Sequence, residues 1–154
     1  MLKSSLIIKQ ISTEETIAVR HPVLRAGRPR EDCYFKGDNL STTVHYGIYY
    51  ENNLIGVATF LEQNHPDFEG THLQLRGMAV LEQFKGKGFG KLLLEKGEQL
   101  AVEKEASTIW CNARIIARQL YEKFGYKTFG NSFEIPLIGT HFVMFKYIPM
   151  PSEL

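Results

Sequence analysis

Apolar and polar positions along this chain change period several times, and each change marks an element. Residues 5–12, SLIIKQIS, form a short apolar run of strand length. Residues 13–26, TEETIAVRHPVLRA, read as a helix. Ser12 or Thr13 can cap it, Glu15 or Thr16 sits in its first turn, and Pro22 should kink or end it. Residues 27–41 are polar and punctuated by Gly, Pro and Asp, and read as a loop. Residues 43–62, TVHYGIYYENNLIGVATFLE, alternate and carry aromatics on both sides of Asn52-Asn53, which predicts a hairpin turning there. After the loop NHPDFEG, residues 71–80, THLQLRGMAV, read as a strand, and Gly77 within it suggests a bulge.

Downstream the period becomes helical. Phe89, Leu92, Leu93, Gly97, Leu100 and Ala101 recur on one face, and Gly97 on that face suggests close packing of helix on sheet. Residues 107–113, STIWCNA, read as a strand. Residues 114–125, RIIARQLYEKFG, read as a helix stopped by Gly125, and two final strands flank PLIG. The order βαββ, βαβα, ββ predicts an α/β fold: a mixed, mostly antiparallel sheet with a central parallel pair, flanked by helices. A chain of 154 residues is expected to form a single domain, 1–154.

Charge and cysteine content remove several classes. Lys plus Arg number 18 and Asp plus Glu 17, so no global basic charge points to nucleic acid. Cys33 and Cys111 lie far apart and form no CxxC pair, which argues against a disulfide framework and against a zinc site; no metal is expected. No apolar run approaches membrane-spanning length, and no small-residue cleavage site follows the N-terminal apolar stretch. The expectation is a cytoplasmic enzyme or binding module of bacterial type, with no membrane partner.

The chemistry concentrates at residues 83–91, QFKGKGFGK. A strand that passes through Gly86, Gly88 and Gly90 into a helix is suited to an anion. The helix N-terminus offers unpaired N–H groups, glycines admit a close approach, and Lys85, Lys87 and Lys91 add positive potential. A P-loop is excluded, because Leu92 follows Gly90-Lys91 and Lys85 takes the place of the first glycine. A dinucleotide fingerprint is excluded, because the third glycine after Gly86 and Gly88 should be residue 91, which is lysine.

These residues resemble a known family. VLEQFKGKGFGKLLL resembles the acyl-CoA signature of the GNAT superfamily of N-acetyltransferases, with Gln83, Gly86 and Gly88 at its defined positions. ARQLYEKFGYK, at residues 117–127, resembles the superfamily's second signature, and the spacing of one helix plus one strand agrees. The resemblance implies a central parallel pair that splays to admit acetyl-CoA. It implies pyrophosphate on the backbone of Phe84, Lys85, Gly86, Lys87, Gly88, Phe89 and Gly90, and a pantetheine arm along Met78, Ala79 and Val80. It also implies transfer to a primary amine of a small molecule or protein by direct attack in a ternary complex, with Tyr121 as general acid. A non-catalytic CoA-binding sensor or interaction module of the same fold is the alternative. In this fold the C-terminal strands often pair two copies, so a homodimer is an expectation too.

For the general base the candidates are Glu62, His72, His45, His141 and Glu134, with His72 and Glu62 placed first and a water relay as the substitute. One departure from the superfamily concerns the asparagine it often carries seven residues before the tyrosine. Arg114 stands there, and it can contact the pantetheine, the diphosphate or the acceptor, or simply begin a helix. Arg20, Arg25, Arg28 and Arg30 form a basic run. It is either a site for an acidic acceptor or for the 3′-phosphate, or a solvated face balanced by Glu31, Asp32 and Asp38.

Overall fold

The computed structural model describes residues 5–151. The strands are β1 (Leu6–Ile11), β2 (Val44–Tyr50), β3 (Asn53–Glu62), β4 (His72–Val80), β5 (Thr108–Arg114), β6 (Lys127–Ile135) and β7 (Gly139–Tyr147). The helices are α1 (Thr13–Leu24), α2 (Phe89–Glu103) and α3 (Arg118–Lys123). The hydrogen-bonded strand order is β1-β2-β3-β4-β5-β7-β6. The β1–β2, β2–β3, β5–β7 and β6–β7 pairs are antiparallel, and β4 runs parallel to β5. The mixed sheet expected from the pattern is therefore present.

Contacts divide the chain into two compact units, one of residues up to 61 with 76–97, the other of residues 62–75 with 98 onward. In the first, α1 begins with a reciprocal cap: Ser12 accepts from the Glu15 N–H and Glu15 accepts from the Ser12 N–H. The hairpin turns at Glu51-Asn52, one residue before the expected place. Both have positive φ, 50° and 67°, as a two-residue turn matching strand twist requires. Tyr50 then pairs with Asn53 and starts the ladder.

Alternation along β3 serves two helices. Val57 packs with Ile11, Val19 and Ala79 on the α1 side. Gly56 and Phe60 face α2, where a Cβ on Gly97 would lie 2.1 Å from the Phe60 Cζ, so glycine there is a packing requirement. The α2 face expected from the sequence is buried at Leu93, Gly97, Leu100 and Ala101, with Leu94 added.

In the second unit the parallel ladder joins His72, Leu73 and Gln74 to Thr108, Ile109 and Trp110 and ends there. The segment 114–125 departs from expectation. Arg114 closes β5, paired with His141 of β7, a short 3-10 turn covers Ile115–Ala117, and α3 has only six residues. Sheet pairing has taken Arg114, and a 3-10 turn the next three residues, of the stretch that helical periodicity assigned to the helix start.

Candidate active site

In the first unit, β4 leads through a 3-10 turn at Glu82–Phe84 into the glycine loop. The N–H groups of Phe84 and Lys85 are already committed, to the carbonyls of Leu81 (2.9 Å) and Glu82 (3.2 Å). The first α2 N–H to bond back is that of Leu92, to Gly88, so Phe89, Gly90 and Lys91 begin the helix without intrahelical acceptors. Gly86 and Gly88 adopt φ of 76° and 88°, which an L side chain rarely accepts, and a Cβ on either would enter open space. The candidate anion-binding stretch therefore runs from Gly86 to Lys91: Phe84 and Lys85 drop out of the expected span and Lys91 joins it. The rings of Tyr50, Phe84 and Phe89 pack mutually, with centroids 5.8–6.2 Å apart, and hold both ends of the loop. Lys87 and Lys91 are exposed, whereas Lys85 pairs with Glu82 at 2.9 Å and Gln83 is exposed.

Upstream on β4, Gly77 has φ 59°, the local irregularity its sequence position suggested. A Cβ there would come within 2.9 Å of Arg20 Nε and 3.0 Å of the Phe35 ring. Met78 and Val80 are half-buried and Ala79 is buried.

The basic run 20–30 does not act as one patch. Arg20 is fully buried. It donates to both Asp38 oxygens (2.7 and 3.0 Å), to the Cys33 carbonyl (2.9 Å) and to Thr59 Oγ1 (2.8 Å). His45 completes this network. A carbonyl only accepts, so His45 Nε2 carries the proton and donates to Asp38 O at 2.9 Å, and Nδ1 accepts from the Thr59 hydroxyl at 2.7 Å. Burial, above all, pushes the His45 pKa down. Arg28 pairs with Asp32 at 3.0 Å and Arg30 lies over the exposed Tyr34 ring.

In the second unit, Tyr121 is buried on α3, and its ring meets Tyr126 edge-on at 5.5 Å. Its carbonyl accepts from the N–H groups of Phe124 and Tyr126, and Gly125 at φ 95° closes the helix. Burial pushes the Tyr121 hydroxyl well above its ordinary value, and neighbouring Cys111, itself pushed up to about 12, adds to this. Both cysteines are buried free thiols.

The base candidates separate clearly. His72 is buried, its Nδ1 accepts from the His65 N–H at 3.0 Å, and its Nε2 donates to Glu69 O at 2.8 Å, so its lone pair is committed to the loop 65–69. Glu62 is ion-paired with Lys104 at 2.6 Å. Glu134 accepts from the Thr140 hydroxyl in the β6–β7 hairpin. His141 donates from Nδ1 to the Gly139 carbonyl at 2.7 Å, which leaves the imidazole lone pair on Nε2. Of the three histidines, His141 alone keeps a ring nitrogen with no hydrogen bond to a described residue. Arg114 is half-buried, and burial pulls its pKa down.

Two features do not follow from the sequence pattern. One is the exposed pair Ile115 and Ile116, 51% and 85% accessible, between β5 and α3; two isoleucines directly after a strand were the available signal. The other is Arg76 on β4, a charge inside an apolar strand. Among the described residues no cluster of three or more His, Cys, Asp or Glu is arranged to hold a metal. No helix among them is long and apolar enough to cross a membrane.

Residues 8–126 match the profile of the acetyltransferase (GNAT) family. An uncharacterized N-acetyltransferase of Bacillus subtilis, YitI, is 38% identical over 142 residues, covering 92% of this chain and 95% of that protein. Among solved structures, an aminoglycoside 6'-N-acetyltransferase complexed with coenzyme A superposes with a TM-score of 0.73 at 14% identity, covering 94% of this chain and 99% of that one. An IAA acetyltransferase from Bacillus cereus gives a TM-score of 0.68 at 18% identity, covering 93% and 99%. At such identities the structural likeness carries the fold, while the profile and the B. subtilis relative carry the kinship: the chain belongs to the acetyltransferase (GNAT) family and is an N-acetyltransferase.

Proposed function

We propose that the protein transfers an acetyl group from acetyl-CoA to a primary amine of a small molecule or protein, by direct attack in a ternary complex. The observation that carries this is the loop Gly86–Lys91. It combines two positive-φ glycines whose missing Cβ atoms leave open space, uncommitted helix-start N–H groups and two exposed lysines. A pyrophosphate satisfies those donors and meets the positive end of the helix dipole. In this reading the main chain of Met78, Ala79 and Val80 holds the pantetheine arm like an added strand, since the β4–β5 ladder stops at Gln74.

Acetyl-CoA supplies an activated thioester: the amine nitrogen forms the new C–N bond, the C–S bond breaks as the tetrahedral adduct collapses, and the leaving thiolate takes up the second proton that the nitrogen releases. The chain's own groups manage the protons. An amine of pKa about 10 arrives protonated and must lose that proton before attack. His141 Nε2, directly or through water, is the acceptor we assign. Tyr121 is assigned to the departing sulfur. Even an ordinary phenol would protonate a thiolate of pKa about 8.5 uphill by ~1.5 units, or roughly 2 kcal/mol. Burial raises that barrier further, so Tyr121 acts as a hydrogen-bond donor that keeps its proton while charge develops.

The test is a thermal-shift titration with acetyl-CoA, then thiol release with a panel of amines. We expect a clear shift, thiol release with some amine, and in Tyr121→Phe a kcat lower by ~100-fold with the shift unchanged. Because burial raises the Tyr121 pKa, no loss of rate should begin on the alkaline side before the ordinary phenol range near pH ~10. No shift with any CoA would overturn the reading. A shift with no release from any amine would favour the non-catalytic binding module.

A further inference from the structure

The loop between β3 and β4, residues 63–70, is fastened to the sheet through imidazole lone pairs. His72 opens β4 and is buried, 2% accessible. Its Nε2 lies 2.8 Å from the Glu69 carbonyl, which only accepts, so Nε2 carries the proton. Nδ1 therefore holds the lone pair, and it accepts the His65 N–H at 3.0 Å. One neutral ring thus joins the early and late parts of the loop. The main-chain N–H of His72 adds a bond to Asn64 Oδ1 at 2.8 Å. His65 Nδ1 in turn accepts the Asp67 N–H at 3.1 Å.

The surface beneath this loop is aromatic. The His65 ring meets Trp110 of β5 edge-on at 4.8 Å and the Phe68 ring at 4.6 Å. Phe68 lies 5.0 Å from Phe129 of β6 and 4.9 Å from Phe145 of β7. Trp110 Nε1 donates to the Gln63 carbonyl at 2.8 Å, and this ring, the chain's one tryptophan, is buried.

A proton on either imidazole would turn an acceptor into a donor, but the two sites meet it differently. At His65 the Asp67 carboxylate, 3.9 Å from Nδ1, offsets the new charge. At His72 the added proton would face the His65 N–H, two donors 3.0 Å apart, on a ring withdrawn from water. The charged residues around it offer little relief. Glu69 meets His72 through its carbonyl, and Glu105 meets Thr71 through its own. Glu62 at the end of β3 is paired with Lys104 at 2.6 Å, and Lys127 on β6, opposite Phe145, adds positive charge.

We infer that the loop 63–70 is a pH-sensitive cover, closed while His72 is neutral and released when His72 takes a proton. The device goes beyond the acetyl-CoA reading and shares no group with it. The closed loop excludes a proton that the open loop, with its ring in water, accepts in the ordinary histidine range between pH ~8 and ~5. Opening is therefore favoured as pH falls, by at most ~10-fold per pH unit for one proton. It uncovers Trp110, Phe129 and Phe145, an aromatic face on β5, β6 and β7.

Hydrogen exchange followed by NMR from pH 8 to 5 tests this. Corrected for intrinsic exchange, protection of the His65 amide and of the Trp110 indole N–H should fall with pH, by up to ~10-fold per unit. The buried β5 amide of Ile109 should stay far better protected throughout, which marks the opening as local. The His72 ring should be the Nε2–H tautomer at pH 8 and gain its second proton over the range in which the loop loses protection. In His72→Asn the side-chain oxygen can accept the His65 N–H and carries no titrating proton, so the slope should vanish; in Asp67→Asn it should remain. Wild-type protection that does not change with pH, an unchanged slope in His72→Asn, or a His72 ring still neutral after the loop has opened each overturns the inference. Should His72→Asn leave the loop open at every pH, the wild-type ring titration decides: a midpoint shared with the loss of protection sustains the cover, and separate midpoints overturn it.

Discussion

Arg20 and Lys87 belong to the same compact unit and carry the same charge, yet their surroundings are opposite. Arg20 is fully buried, and four of its hydrogen bonds go to Asp38, Cys33 and Thr59. Lys87 sits exposed among glycines whose backbone N–H groups have no intrahelical acceptor. In the first cluster Nη1 and Nη2 of Arg20, both Asp38 oxygens, Thr59 Oγ1 and both ring nitrogens of His45 are partnered, and Arg20 Nε is the buried exception. The polar atoms of the second are held in position by the Tyr50–Phe84–Phe89 rings and face outward unsatisfied. A closed network stabilises the fold, while ordered donors that face solvent are free to meet a ligand's acceptors. The contrast separates the Arg20–Asp38–His45 cluster, which supplies structure, from the Lys/Gly loop, to which we assign the pyrophosphate.

The sharpest way to break the contrast is Asp38→Ala. It leaves the Arg20 guanidinium buried without its counter-charge, and we expect a loss of about 3–5 kcal/mol in urea unfolding. Replacing both partners with apolar residues, Arg20→Met with Asp38→Leu, should recover most of it. A cost below ~1 kcal/mol for Asp38→Ala would mean that the network is not structural.

Gly88→Val comes next. At φ 88° with nothing within 4 Å of the new Cβ, the free protein meets only backbone strain, about 1–2 kcal/mol. In the proposed acetyl-CoA complex the new side chain stands where the pyrophosphate would lie, and affinity should fall ~10- to 100-fold. Unchanged affinity in a folded variant would remove the loop from the binding site.

What the sequence disclosed follows the same division. The glycine loop was legible because its demands are local: positive φ, close approach and a helix start fall at fixed spacing along the chain. Gly97 was legible as a packing position for the same reason. The fate of the arginines was not. Arg20 follows Thr13, Thr16 and Ile17 at helical spacing, which hints at the buried face. Its partner, however, is 18 residues away, across a loop whose path no local rule fixes. The histidines show the same limit. His72 and His141 look alike in a sequence, and only the loop 65–69 and the β6–β7 turn decide which ring nitrogen is occupied. Helical periodicity over 114–125 failed because pairing of Arg114 with His141 extends β5 past the point where the pattern changes.

His45 gives the smallest expected effect and the finest discrimination between the two clusters. Its pKa is lowered in the folded state. Burial is the main cause and Arg20 a contributor, against the opposing pull of the Asp38 carbonyl, the Asp38 charge and Glu14. In the unfolded chain it titrates near ~6.5. Between the lowered value and ~6.5, the unfolded chain therefore binds a proton that the folded one does not. The stability this group contributes is complete above ~6.5 and declines as pH falls through the window below it. His45→Gln removes the titration, and its amide N–H can still reach the Asp38 carbonyl. Urea unfolding of both proteins from pH 7.5 to 5, steps of roughly half a unit, should show the wild type losing stability more steeply, by at most ~1.4 kcal/mol per pH unit. Parallel curves would mean that the ring titrates alike in the folded and the unfolded chain and that the network does not hold it neutral. Acetyl-CoA affinity over the same range should not separate the two proteins. If it does, the closed network and the open loop are coupled, and the division between structure and binding must be redrawn to include His45.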